Sequence, residues 1–157
     1  MAWTVQILDG GDAQAIDAVR ELWCAYWDSL GFSAAFQSFG DELRELPGKY
    51  SPPTGRLLLV RDAGRAVATA ALRRLSAEAC EAKRLYVDPG YRRRGIAASL
   101  LTKLVEEARV SGYRTLYGDT LPAMASALVL YREVGFVETG PYSDDPTPGA
   151  IYLRLRL

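Results

Sequence analysis

Apolar and polar positions along this chain repeat with two periods, and the switches between them mark out the elements. Val5 and Ile7 alternate with polar neighbours over residues 4–8, which predicts a short strand closed by Asp9-Gly10-Gly11. Asp12 suits a helix N-cap. Beyond it Ile16, Val19, Trp23, Tyr26, Trp27 and Leu30 recur at helical spacing while Asp17, Glu21 and Asp28 fall elsewhere, so a helix should run to Gly31. A second helical stretch over residues 36–46 carries Phe36, Phe39, Leu43 and Leu46 on one side and meets Pro47-Gly48 as its stop.

The period then shortens to two. Residues 57–61, the turn Asp62-Ala63-Gly64 and residues 65–75 predict a β-hairpin with a long second strand, and residues 80–87 a third antiparallel strand stopped by Asp88-Pro89. Helical spacing returns after Gly95 with Ile96, Leu100, Leu101, Leu104, Val105 and Ala108, and Gly112 is the expected C-cap. Residues 113–119 are β-rich. Pro122 fits the first turn of another helix bearing Ala127, Leu128, Tyr131 and Val134 and closed by Gly135. Residues 136–139 and 150–157 predict two last strands joined by the loop 142–149. The order predicts an α/β (α+β) protein: a mixed central sheet that begins as an antiparallel meander, with helices on both faces.

Composition narrows the picture. At 157 residues, 49% hydrophobic and 24% charged, a single domain spanning 1–157 with a real core is the economical reading. No apolar run approaches the roughly 20 residues that span a bilayer, and the N-terminus lacks the basic region and small-residue cleavage site of an export signal. The expectation is a cytoplasmic protein without membrane contact. Lys and Arg number 19, as do Asp and Glu, so no general attraction to nucleic acid is expected. Five of those 19 basic residues nevertheless fall within residues 83–94, a local patch suited to a small anion. Cys24 and Cys80 form no CxxC pair and are expected to be buried free thiols. Histidine is absent, which rules out Ser-His and Cys-His triads and removes the imidazole ligands of most catalytic zinc sites. No metal is expected, and proton transfer falls to Glu, Asp, Tyr, Lys, Cys or water.

The chemistry concentrates in residues 80–101, CEAKRLYVDPGYRRRGIAASLL. A strand runs into a turn, and Arg92, Arg93, Arg94, Gly95, Ile96 and Ala97 then open a helix. Backbone amides at a helix N-terminus, with its dipole and three guanidinium groups, form an anion site; a solvated Arg-rich loop is the alternative. This run fits the Arg/Gln-x-x-Gly-x-Gly/Ala signature of the GNAT N-acetyltransferase superfamily, and the preceding Glu81-Ala82-Lys83-Arg84-Leu85-Tyr86-Val87 resembles the strand before it. Leu130-Tyr131-Arg132-Glu133-Val134-Gly135-Phe136 is similar to that superfamily's Tyr-x-x-x-Gly-Phe segment. Leu121-Pro122-Ala123-Met124 and Pro141-Tyr142 with Gly149 and Tyr152 resemble a bacterial branch of small members.

The resemblance implies the GNAT fold and an acetyl-CoA co-substrate whose acetyl group passes to a primary amine. It implies that backbone groups of Leu85, Tyr86 and Val87 pair with the pantetheine arm, that Arg92, Arg93, Arg94, Gly95, Ile96 and Ala97 hold the pyrophosphate, and that Ser126, Leu130 and Tyr131 line the opposite wall. Tyr131 is the candidate acid for the leaving thiolate, or a residue that packs a helix end. Glu81 is the candidate base, directly or through water; it could equally pair with Lys83 or an arginine. Strand alternation would put Glu81 on one side with Lys83, Leu85 and Val87. Trp23, Tyr26, Trp27 and Phe36 are either core or the wall of an aromatic acceptor pocket. The acceptor can be a small molecule or a peptide or protein amine. An acyl-CoA-binding sensor without turnover is a third possibility, and a homodimer is compatible with the sequence. A dinucleotide-binding fold fits less well, because an antiparallel meander precedes the glycine turn.

Overall fold

The computed structural model describes residues 3–33, 38–143 and 147–157. In chain order these form β1 (Trp3–Leu8), α1 (Ala13–Leu30), α2 (Phe39–Glu45), β2 (Arg56–Asp62), β3 (Arg65–Arg74), β4 (Ala79–Val87), α3 (Ile96–Val110), β5 (Thr115–Thr120), α4 (Ala125–Val134), β6 (Val137–Thr139) and β7 (Ile151–Arg156). All seven strands lie in one sheet of order β1-β2-β3-β4-β5-β7-β6. β1 through β4 are antiparallel neighbours, so the meander has one strand more than the hairpin pattern suggests. β4 and β5 are the parallel pair, bridged by α3, and β7 inserts antiparallel between β5 and β6.

Local chemistry sets the ends of the elements. The Asp12 carboxylate accepts from the Ala15 amide at 3.1 Å and starts α1, while Gly31 closes it at φ 71°. The β2–β3 turn needs positive φ at both central residues, 49° at Ala63 and 83° at Gly64, the geometry that matches strand twist.

In β2, four consecutive residues are fully buried because the sheet is covered on both sides. Leu57 and Leu59 face α1 and α2 and meet Ile16, Val19, Trp23 and Phe39. Leu58 and Val60 face α3 and meet Leu100, Leu101 and Leu104. Each such side chain contributes on the order of 2 kcal/mol of hydrophobic stabilisation, so the sheet is clamped from both faces.

Several expectations change. α2 begins at Phe39 rather than at residue 36, and Phe36 lies outside the described residues. Pro122 precedes α4 instead of opening it: the helix starts at Ala125, with Met124 at its N-cap. Cys24 is exposed because its position on α1 points away from the sheet. Cys80 is buried, and burial together with the Glu81 charge pushes its thiol up to about 12. An inert thiol results.

Candidate active site

The site begins where the central sheet comes apart. The β4–β5 ladder has three pairs, Ala79 with Thr115, Cys80 with Leu116 and Glu81 with Tyr117, and ends there although both strands continue. Beyond Glu81 the edge of β4 that faces β5 carries no ladder bonds. Unpaired strand N–H and C=O groups are what an extended ligand can add to.

β4 also carries a bulge. Thr69 pairs with Tyr86 and Ala71 with Lys83, so two steps on β3 match three on β4. Arg84 absorbs the extra residue at φ 57°, in the left-handed region. Such a conformation costs a non-glycine residue about 1–3 kcal/mol. What holds it is the Arg84 side chain, which donates to Glu42 Oε2 through Nε at 3.1 Å and Nη2 at 2.7 Å. Its guanidinium also lies 4.7 Å from the Trp27 ring centroid and 5.4 Å from that of Phe39. Lys49 and the Tyr50 hydroxyl satisfy Glu42 Oε1 at 2.7 and 3.1 Å.

The bulge breaks simple alternation. Glu81 and Lys83 share a side as expected, but Leu85 and Val87 do not join them: both pack with Cys80 and Ala82 on the α3 side, and Tyr86 turns toward α1.

At the end of β4 the chain makes a short turn over Pro89–Tyr91 and enters α3. Arg92, Arg93 and Arg94 are all exposed there. Arg92 Nε donates to the Val87 carbonyl at 3.1 Å, and Arg94 lies 4.7 Å over the Tyr91 ring. Arg93 and Gly95 take positive φ of 64° and 81°, which turns the chain onto the helix axis. A methyl group placed on Gly95 would meet nothing within 4 Å. Gly95 caps α3 without a side-chain hydrogen bond, so the cap itself leaves the first-turn amides of Ile96 and Ala97 without a side-chain acceptor. The arrangement fits an anionic group at a helix N-terminus.

Between the separated strands lies a cleft that passes from one face of the sheet to the other. Tyr26, Trp27, Leu30 and Phe32 wall it on the α1 side, and Met124, Ala127 and Tyr131 on the α4 side. Two of the aromatic candidates, Tyr26 and Trp27, are therefore on the cleft. Trp23 is not: it is fully buried, edge-on to Tyr50 at 5.4 Å, with Nε1 donating to Thr69 Oγ1 at 3.4 Å. Ser126 is exposed on the first turn of α4, and Leu130 packs partly into the core.

Tyr131 is buried and packed edge-to-face on Phe136, with centroids 4.9 Å apart. A Cβ at Gly118 would come within 3.1–3.3 Å of its ring and hydroxyl, so glycine is needed there for β5 to pass so close. Burial, with the Asp119 charge second, pushes the Tyr131 phenol well above its ordinary range. It stays protonated at neutral pH.

Glu81 is buried, and both its oxygens are occupied. Arg73 Nε donates to Oε1 at 2.6 Å and the Tyr142 hydroxyl to Oε2 at 2.5 Å. Of the pairings considered from sequence, the arginine is Arg73, its cross-strand partner on β3. Other polar side chains do line the cleft, among them Lys83, Arg84, Asp119, Thr120 and Thr147. Burial holds the Lys83 ammonium below its ordinary value, against the opposing pull of Glu81. Burial raises the Asp119 carboxyl, with Lys83 opposing. Asp119, Thr120, Arg73 and Tyr142 escape sequence reasoning because they meet only through strand register and the return of the chain after β6. The one local signal was Gly118, an isolated glycine inside a strand pattern, which marks a close approach.

This arrangement, a parallel pair that opens beside a helix N-terminus with a tyrosine across the gap, has counterparts among known proteins. A family model described as an acetyltransferase (GNAT) domain matches residues 53–138. An N-acetyltransferase of Schizosaccharomyces pombe is 34% identical over 146 residues, covering 92% of this chain and 90% of that protein. An acetyltransferase from Streptococcus agalactiae superposes with a TM-score of 0.83 at 15% identity, over 100% of this chain and 99% of that one. The Salmonella typhimurium acetyltransferase yncA, solved with its cofactor acetyl-CoA, superposes at 0.70 and 18% identity over 99% and 94% of the two chains. This chain belongs to the GNAT acetyltransferase family. Its class of activity is N-acetyl transfer.

Proposed function

We propose that this protein transfers the acetyl group of acetyl-CoA to a primary amine of a small molecule. The observation that carries this is the early end of the β4–β5 ladder, which joins an unpaired strand edge, a helix N-terminus and a cleft through the sheet. In this reading the pantetheine arm pairs with the backbone of Leu85, Tyr86 and Val87, and the pyrophosphate rests on residues 92–97. Ser126 and Leu130 flank the arm from α4. The cleft is walled by α1 on one side and α4 on the other, which suits a small acceptor better than an extended peptide.

The reaction asks the protein for position and charge stabilisation. The amine nitrogen attacks the thioester carbonyl, the developing oxyanion is held by a backbone amide among Leu85, Tyr86 and Val87, and the C–S bond breaks with its electron pair on sulfur. Tyr131, protonated because it is buried, stands ready to give that sulfur a proton. Glu81 contributes negative potential behind the cleft, since its oxygens already accept from Arg73 and Tyr142; it can reach the acceptor only through water. The test is release of free CoA thiol with a panel of primary amines. Thiol release in step with acetylated amine is expected, and tight acetyl-CoA binding with no turnover on any amine would instead indicate a sensor.

A further inference from the structure

Resting on that acetyltransferase reading, we infer that Asp119 receives the ammonium of the acceptor and takes its proton, and that the acceptor is a monoamine on an apolar, ring-bearing skeleton. The carboxylates around the cleft divide by what they hold. Glu81 accepts from Arg73 and Tyr142, and Glu42 from Arg84, Lys49 and Tyr50. Among the described residues Asp119 belongs to none of the ion pairs, yet it stands on the cleft where β5 has left β4.

A second observation points to the same place. Thr120, the next residue, is 5% exposed and lines the cleft, and its Oγ1 has no hydrogen-bond partner among the described residues. A buried hydroxyl without a partner costs about 1–3 kcal/mol, a cost that a polar atom of a bound ligand would remove.

The surroundings select the rest of the molecule. Tyr26 and Leu30, half-buried, give the cleft a ring and an apolar wall, backed by Trp27, which is itself covered by Phe39 and Arg84. Among the described residues that line the cleft Asp119 is the one carboxylate, so a second ammonium finds no acidic partner there. A polyamine would therefore leave its further ammonium groups without an acidic partner in the cleft.

The steps balance. Asp119 takes one proton from the ammonium, and the freed lone pair forms the C–N bond. As the C–S bond breaks, Tyr131 gives its proton to the thiolate, the nitrogen's second surplus proton passes to water, and Tyr131 is reprotonated from water. The products are the amide and CoA thiol, and Asp119 returns its proton to water.

The experiment uses the full chain, with acetyl-CoA and either 2-phenylethylamine or spermidine, read by thiol release. The expected kcat/KM is higher for 2-phenylethylamine by about tenfold or more, as a hydrophobic pocket with one polar anchor gives. Asp119→Asn should lower it about 100-fold, the usual contribution of a positioned base, with acetyl-CoA affinity and melting temperature unchanged. Asp119→Glu should recover part of the loss. Preference for spermidine, or undiminished kcat/KM in Asp119→Asn, overturns the inference while leaving the acetyltransferase reading intact. If the wild type binds acetyl-CoA but turns over neither amine nor any other, both fail. Should Asp119→Asn not fold, binding to CoA-saturated wild type decides. There 2-phenylethylamine must bind more tightly than 2-phenylethanol, its neutral counterpart, and equal affinity overturns the assignment.

Discussion

The Tyr142 hydroxyl donates to Glu81 Oε2 at 2.5 Å, joining residues 61 positions apart in the chain. Tyr142 comes from the segment after β6 and is held between Tyr117, stacked at 4.6 Å, and Tyr152, edge-on at 5.7 Å. Tyr142→Phe keeps both ring contacts and loses one bond to a charged acceptor, a cost of about 1.5–3 kcal/mol. Urea unfolding should show this as a lower midpoint with an unchanged slope. Burial, then the Glu81 charge, pushes this phenol far above its ordinary range. A raised folded-state value means that its contribution is complete below about pH 10, the unfolded value, and falls as the pH rises further.

The Arg84–Glu42 pair ties the β4 bulge to α2. Glu42→Ala leaves Arg84 charged and buried, and the expected destabilisation is about 3–5 kcal/mol. The double change Glu42→Leu with Arg84→Met should cost less than Glu42→Ala alone, which a double-mutant cycle measures. Burial alone would raise Glu42, but Arg84 and Lys49 outweigh it and hold the carboxyl below its ordinary value. A depressed folded-state value gives stability that is present above about pH 4.3, the unfolded value, and is lost as the pH falls through the folded one. Acid titration of Glu42→Gln should show a weaker decline than the wild type.

Arg92 and Arg94 are exposed, so replacing either with Ala should change stability by no more than about 0.5 kcal/mol. Affinity for acetyl-CoA should fall about tenfold for each, the value of a charge-assisted bond to phosphate. Calorimetry at two salt concentrations should also give each variant a shallower salt dependence than the wild type. Gly95→Ala meets no steric obstacle and carries only the left-handed backbone cost of about 1–2 kcal/mol. Its acetyl-CoA affinity should drop because the first-turn amides shift.

Tyr131→Phe removes the hydroxyl proposed to protonate the leaving thiolate and keeps the ring. kcat should fall about 10- to 100-fold with acetyl-CoA binding unchanged. Gly118→Ala makes the same point from the other side, because its methyl group would press on the Tyr131 ring and hydroxyl. Overpacking of this kind costs about 1–3 kcal/mol, and the displaced hydroxyl should lower kcat even though Gly118 carries no reactive group. Equal kcat in Gly118→Ala and wild type would show that the tyrosine's placement is not critical.

The sequence by itself determined the elements, because their causes are local. Helical spacing from Ile16 to Leu30, the glycine stops at Gly31 and Gly135, and the Arg-rich turn ending at Gly95 are each written within one or two turns of chain. It also singled out the Arg-rich turn and Tyr131, since both belong to contiguous motifs. Only the tertiary structure decided which carboxylate faces the cleft. Strand alternation carries Glu81 to a side but does not foresee the bulge at Arg84, which depends on Glu42, 42 residues away, and on the rings of Trp27 and Phe39. Nor does it reveal Arg73 and Tyr142 closing on Glu81, or Asp119 and Thr120 standing where β5 departs from β4. Those relationships are set by register and by the insertion of β7 between β5 and β6, and pairing between distant strands leaves little trace in either strand alone.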